Sequence, residues 1–226
     1  IYKFLARISE KTASENSDFR IVFTDRDKQR IENLYNCSVD YVIPLGIRDQ
    51  YKAIEQNKST KEKYCLLLGV LCSANLEGYD WFRREVSPKL NCKTIIAGKG
   101  FEKYEIQWKT NKVQVIGFVD DLNSIYEDAL CVAIPLFSGG GMKVKTAEAL
   151  MFGKYIFGTD EAFVGFELDD NQVGGRCNKA DEFIDKINKL INNTDDFSNS
   201  YSRELYERKY SVSASLKEFK DLIDKI

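Results

Sequence analysis

The stretch Pro135–Glu148, PLFSGGGMKVKTAE, follows an apolar run and opens into a segment of helical character, and it holds the densest set of chemically useful residues in the chain. Gly139, Gly140 and Gly141 let a ligand approach the backbone closely and permit dihedrals closed to other residues. In a strand-loop-helix crossing, the amides of Gly141 and Met142 stand near the helix start, where unpaired N–H groups and the helix dipole favour a phosphate. Lys143 and Lys145 add positive charge, and Glu148, three residues beyond Lys145, can accept hydrogen bonds from the two hydroxyls of a ribose. A plain structural account fits the same residues: a glycine turn followed by solvated lysine-glutamate neighbours worth about 0.2–0.5 kcal/mol each. The stretch is neither a phosphate loop ending in Gly-Lys-Ser/Thr nor a GxGxxG dinucleotide fingerprint.

The surrounding sequence alternates strand and helix. Tyr64–Val70 reads as a central parallel strand, followed by a helix on which Tyr79, Phe82, Val86 and Leu90 recur at helical spacing. Thr94–Ala97, Val113–Ile116, Leu130–Leu136 and Tyr155–Phe157 supply further strands. Leu122–Tyr126, Met142–Phe152 and Asp181–Leu190 supply helices. The natural packing of this pattern is an α/β fold, a parallel sheet flanked by helices. Before it, Arg20–Thr24 and Val39–Ile43 read as strands around a helix capped by Thr24 or Asp25 and running to Tyr35, with a crossing at Pro44–Gly46. Asp49–Lys63 is a polar link. The charged stretch Tyr201–Lys209 precedes a last helix whose apolar positions, Val212, Leu216, Phe219, Ile223 and Ile226, define one face that needs a cover. The expected divisions are 1–45, 46–209 and 210–226.

Composition removes several function classes. Thirty-three basic residues against 35 acidic ones leave a net charge of -2, so no electrostatic footprint argues for nucleic acid. The chain has no histidine, which makes zinc, haem and Ser-His or Cys-His chemistry poor matches, and no metal is expected. The six cysteines are scattered through apolar runs and read as buried thiols. No apolar run is long enough for a transmembrane segment. At 226 residues starting from Ile1, the expectation is one large domain with an adjoining segment, cut from a longer protein.

The segment Gly139–Thr159, GGGMKVKTAEALMFGKYIFGT, resembles the donor-binding region of the retaining glycosyltransferases of the GT-B fold, the group 1 family, in its Gly-Gly-Gly-Met-Lys/Arg branch. Val115–Asp121, VIGFVDD, resembles the family loop beside the nucleotide base, and Asn75–Phe82, NLEGYDWF, the branch's first loop and following helix. Ile21–Asp25 and Val42–Gly46 resemble the end of the acceptor domain and its crossing. The resemblance implies the Rossmann-like C-terminal half of a GT-B fold and transfer of a sugar from an NDP-sugar donor with retention of configuration, with no cofactor. By it, Glu148 contacts ribose, Lys143 and Lys145 neutralise the diphosphate, with Lys143 supplying more of the attraction, and Gly140, Gly141 and Met142 surround phosphate or sugar. Lys143 and Glu148 are then the catalytic candidates.

Phe118 and Val119 would lie at the base, with Phe118 as a packing anchor the competing reading; Asn75 would polarise the donor loop or cap its helix. The sequence departs from the family's paired glutamates, since Gly140 stands eight positions before Glu148, and from its basic donor-loop pair around Gly69–Gly78. The implied partners are a nucleotide sugar, a glycan or lipid-linked glycan acceptor, and an N-terminal domain that is missing here. The implied location is cytoplasmic, peripheral at the inner membrane. A noncatalytic sugar-nucleotide or carbohydrate-binding module derived from such an enzyme is the alternative.

Overall fold

The computed structural model describes residues 2–52, 62–194 and 196–224. The middle of the expected link Asp49–Lys63, and Ile226 of the last helix, lie outside the described residues. An opening helix α1 (Tyr2–Glu15) leads to a parallel pair of two-residue strands, β1 (Ile21–Val22) and β2 (Tyr41–Val42), separated by α2 (Asp25–Tyr35). Thr24 caps α2, its hydroxyl accepting from the Asp27 amide at 3.0 Å. Helix α1 went unread in the sequence.

Six strands then form one wholly parallel sheet: β3 (Tyr64–Leu68), β4 (Lys93–Ala97), β5 (Val113–Ile116), β6 (Ala129–Ile134), β7 (Tyr155–Gly158) and β8 (Gly174–Arg176). Their spatial order is β5-β4-β3-β6-β7-β8. The chain enters in the middle, winds outward through β4 and β5, returns to the other flank of β3 as β6, and winds out again. Neighbours β3 and β6 therefore send their following loops in opposite directions, which makes their carboxyl ends the topological switch point of the sheet.

Continuous apolar strands are what a sheet buried on both faces requires. Along β3, Leu66 and Leu68 face one core with α5 (Leu122–Glu127), α6 (Val144–Met151), α7 (Asp170–Val173) and α9 (Ser200–Leu205). Cys65 and Leu67 face the other with α3 (Ser73–Glu85), Trp108 of α4 (Glu105–Trp108) and α8 (Ala180–Asn193). The side-chain period of two thus builds a three-layer α/β/α unit. The expected fold class, a Rossmann-like parallel sheet flanked by helices, is the one observed.

Several expectations need correction. Four cysteines are buried, but Cys72 is exposed and Cys37 half-exposed. The charged stretch Tyr201–Lys209 is a core element: α9 runs into a π turn at Tyr206–Tyr210 that buries Leu205, Tyr206 and Tyr210. The last helix, α10 (Val212–Ile223), is turned away from the expected apolar face. Ser215 and Leu222 are buried and Phe219 half-buried while Val212, Leu216 and Ile223 are exposed, because the Ser215 hydroxyl donates to the Pro44 carbonyl at 2.7 Å and holds the small-residue face against the crossing segment. No helix among the described residues is long and apolar enough to cross a membrane.

Candidate functional site

The candidate residues converge on the switch point. The loop after β6 carries Gly139–Gly141, the loop after β3 carries Gly69–Cys72, and α3 and α6 follow directly. Helix α3 reaches the end of β6 only because residue 78 is glycine: a Cβ there would lie 1.8 Å from the Pro135 carbonyl oxygen. That approach brings Asn75 and Tyr79 on α3 to Lys145 on α6. The Lys145 ammonium donates to Asn75 Oδ1 at 2.5 Å and to the Tyr79 hydroxyl at 3.1 Å. Tyr79 in turn donates to the Leu68 carbonyl at 2.7 Å, and Asn75 Nδ2 to the Val70 carbonyl at 2.6 Å. Gly69 closes the cluster, since a Cβ there would meet Asn75, Lys145 and Tyr79 at 2.9–3.0 Å. Asn75 is therefore no helix cap. Cys72 holds that position without a side-chain bond, and Asn75 bridges the loop after β3 to Lys145.

Burial lowers the Lys145 ammonium to about 8, against the opposing charge of Glu148. Burial likewise raises the Glu148 carboxyl, and Lys145 pulls it back. Glu148 is half-buried on α6, and among the described residues its carboxylate makes no hydrogen bond or ion pair. A partly desolvated carboxylate with free lone pairs is suited to accept from hydroxyls.

Helix α6 begins at Val144, with Lys143 as its N-cap, two residues later than the sequence implied. The amides of Gly141 and Met142 consequently belong to the loop ahead of the helix. Both lack a partner among the described residues, and a Cβ built on Gly140 or Gly141 meets no atom within 4 Å. Thr146 anchors the helix from behind through a 2.8 Å bond to the Ala162 carbonyl.

Lys143 does not stand with Lys145. Its ammonium donates to Glu161 Oε1 at 2.7 Å, to the Gly141 carbonyl at 2.8 Å and to the Gly140 carbonyl at 3.4 Å. Glu161 also takes a bidentate pair from Arg26 on α2, at 2.7 and 3.1 Å, and Arg26 foremost, then Lys143, hold its carboxyl below the usual range. Phe118 is 71% exposed, which removes the packing-anchor reading, whereas Val119 beside it packs against the core. Tyr79, Glu161 and Arg26 went unread in the sequence as site residues. Tyr79 lies on an apolar helical stripe, and the one available signal for Glu161 was its place just beyond the carboxyl end of β7.

Unpaired loop amides, a half-buried lysine and a carboxylate without a hydrogen bond among the described residues thus meet at the switch point of a doubly wound parallel sheet, the place where open α/β sheets take their ligands. Residues 62–193, more than half of the chain, match the family Glycosyl transferases group 1, and the chain belongs to it. The fold is similar to that of sucrose-phosphate synthase from Thermosynechococcus elongatus, with a TM-score of 0.78 and 14% identity over 97% of this chain and 61% of that one. It is similar also to HepE from Anabaena in complex with UDP and glucose, with a TM-score of 0.75 and 14% identity over 97% of this chain and 66% of that one. The pneumococcal O-GlcNAc transferase GtfA, in complex with UDP and GlcNAc, gives 0.68 at 17% identity, over 96% of this chain and 47% of that one. The chain thus spans less than two thirds of the length of these relatives. A comparison with curated protein sequences finds no match.

Proposed function

We propose that this chain supplies the donor-binding half of a glycosyltransferase that moves a sugar from an NDP-sugar to an acceptor with retention of configuration. The observation that carries this reading is the meeting, at one switch point, of unpartnered loop amides, a half-buried Lys145 and a carboxylate with free acceptors on Glu148. Amides and ammonium meet the diphosphate and stabilise it as it departs. Glu148 takes the ribose hydroxyls, and the loop at Phe118 and Val119 borders the base. Lys143, behind the glycine loop, contributes charge at longer range. UDP is the first nucleotide to test, because the similar HepE and GtfA structures hold it. No metal or cofactor enters this scheme. A facing N-terminal domain would bring a glycan or lipid-linked glycan acceptor, in the cytoplasm at the inner face of a membrane.

Titration of UDP-, GDP- and ADP-sugars into the protein tests the reading. One donor should bind and raise the unfolding midpoint, since a ligand of the folded state stabilises it. Glu148→Gln, folded as the wild type, should lose roughly 1–3 kcal/mol of that binding. Absence of nucleotide-dependent stabilisation with all three donors, or an unchanged affinity in Glu148→Gln, would sink it. The absent carboxylate at Gly140 gives the noncatalytic binding module its own support, and binding without turnover in the presence of acceptor and facing domain would select it.

A further inference from the structure

Three N–H groups of Lys143 meet three protein acceptors, and its side chain is only 10% exposed. The two close bonds, to Glu161 and the Gly141 carbonyl, turn this ammonium toward the protein rather than out of the loop. Two of the three acceptors are the carbonyls of Gly140 and Gly141. No peptide bond here is cis, and in a planar trans peptide the N–H points opposite to the carbonyl. Pulling the carbonyls of Gly140 and Gly141 toward the ammonium therefore turns the N–H groups of the next residues, Gly141 and Met142, the other way. Neither amide has a partner among the described residues, and the same holds for the rest of the loop from Phe137 to Lys143, so what sets these two apart is the direction that the Lys143 bonds impose on them. Successive amides directed to one side form an anion-binding concavity. The third acceptor, Glu161, fixes where the ammonium sits, and Arg26 fixes Glu161 from α2.

We infer that Glu161 is a positioning residue of the donor site: through Lys143 it holds the Gly139–Gly141 loop in the conformation that presents the Gly141 and Met142 amides to the diphosphate, and through Arg26 it ties that loop to the N-terminal segment. The inference rests on the donor-site reading above. It carries a sign opposite to simple electrostatics. A carboxylate near an anion site repels the anion, so removing its charge should tighten binding if Glu161 only sits nearby. If Glu161 holds the loop, the same substitution weakens binding, because the amides lose their orientation.

The test uses the full 226-residue chain, with UDP, GDP and ADP as probes and the matching nucleosides as phosphate-free competitors. For the nucleotide the wild type binds, Glu161→Gln should weaken the diphosphate by about tenfold, the size of one charged hydrogen-bond partner lost. The nucleoside should bind as before. Glu161→Asp, which keeps the charge one methylene shorter, should recover part of the loss, and Arg26→Gln should lose affinity in the same direction by less. Circular dichroism and urea midpoints confirm folding, and should Glu161→Gln fail to fold, the Asp and Arg26 variants carry the comparison. Tighter or unchanged diphosphate binding in the folded variants, or equal losses for diphosphate and nucleoside, overturns the inference while leaving the donor-site reading intact. A wild type that binds none of the three nucleotides overturns both.

Discussion

Lys145 is the residue whose environment most sharply limits its chemistry. Burial brings its ammonium to about 8 while Asn75 and Tyr79 hold it at the end of β3. A phosphate binds the charged form, so bound diphosphate raises the pKa and binding takes up a proton above about pH 8. The sign follows: affinity for the nucleotide is full below about pH 8 and falls as pH rises through it. Lys145→Met, of similar length and uncharged, should bind about 1–3 kcal/mol more weakly at pH 7 and show a flat profile from there upward. A variant that keeps the wild-type slope between neutral and alkaline pH would assign the titration to another group. At this scale, the residues that spacing could group were those contiguous in the sequence, whereas Asn75, Phe118 and Val119 were named only through the resemblance. Gly140 to Glu148 lie on one loop and one helix, but spacing did not show that Lys143 turns to Glu161 while Lys145 turns to Asn75 and Tyr79. Arg26 and Glu161, 135 positions apart, meet only through the tertiary fold, and no local pattern encodes that pairing.

At the scale of elements, strands buried on both faces declare themselves by unbroken apolar runs, which is why β3 and β6 were found to within two residues at each end, both read too far into the loop that follows. Amphipathic helices were harder where small polar residues face the chain. On α10 the exposed Leu216, at 61%, is larger and more apolar than the buried Ser215, so a reading by hydrophobicity selects a face that this chain leaves largely uncovered. What decided the matter is the hydrogen bond from Ser215 to Pro44. The π turn at Tyr206–Tyr210 was hidden similarly, its charged side chains outnumbering the tyrosines that anchor it. The contact between α3 and β6 gives an element-scale prediction. Gly78→Ala puts a methyl group into the Pro135 carbonyl, so α3 must shift, at a cost of about 1–3 kcal/mol in the urea midpoint. Nucleotide affinity should fall with it, because α3 carries Asn75 and Tyr79. Gly140→Ala, whose Cβ meets nothing within 4 Å, should stay within about 0.5 kcal/mol of wild-type stability. Equal midpoints for the two variants would show that the close approach does not hold the helices in place.

At the scale of the whole molecule, two segments cross side by side between the N-terminal strands and the large sheet. Ile47 pairs with Ser211 in a parallel bridge, its amide donating to Tyr210 at 2.9 Å and its carbonyl accepting from Tyr206 at 2.9 Å and Val212 at 3.2 Å. Arg203 clamps the outgoing strand of this crossing: its guanidinium pairs with both oxygens of Asp49, at 3.1 and 2.5 Å, and donates to the Met151 carbonyl at 2.7 Å. The pair is a quarter to two fifths exposed, so solvent screening reduces its worth, and Arg203→Ala should cost about 1 kcal/mol at neutral pH. Arg203 holds the Asp49 carboxyl below its ordinary value of 3.8, first through the hydrogen bond and then through charge. A lowered carboxyl contributes stability above its unfolded pKa and loses it as pH falls through the folded one. The difference in urea midpoint between wild type and Arg203→Ala should therefore be full at pH 7, begin to shrink as pH approaches 3.8, and continue to close below it. A gap that stays constant on acidification would mean that Arg203 acts through its contact with Met151 and its stacking on Tyr51 and Tyr206 rather than through Asp49.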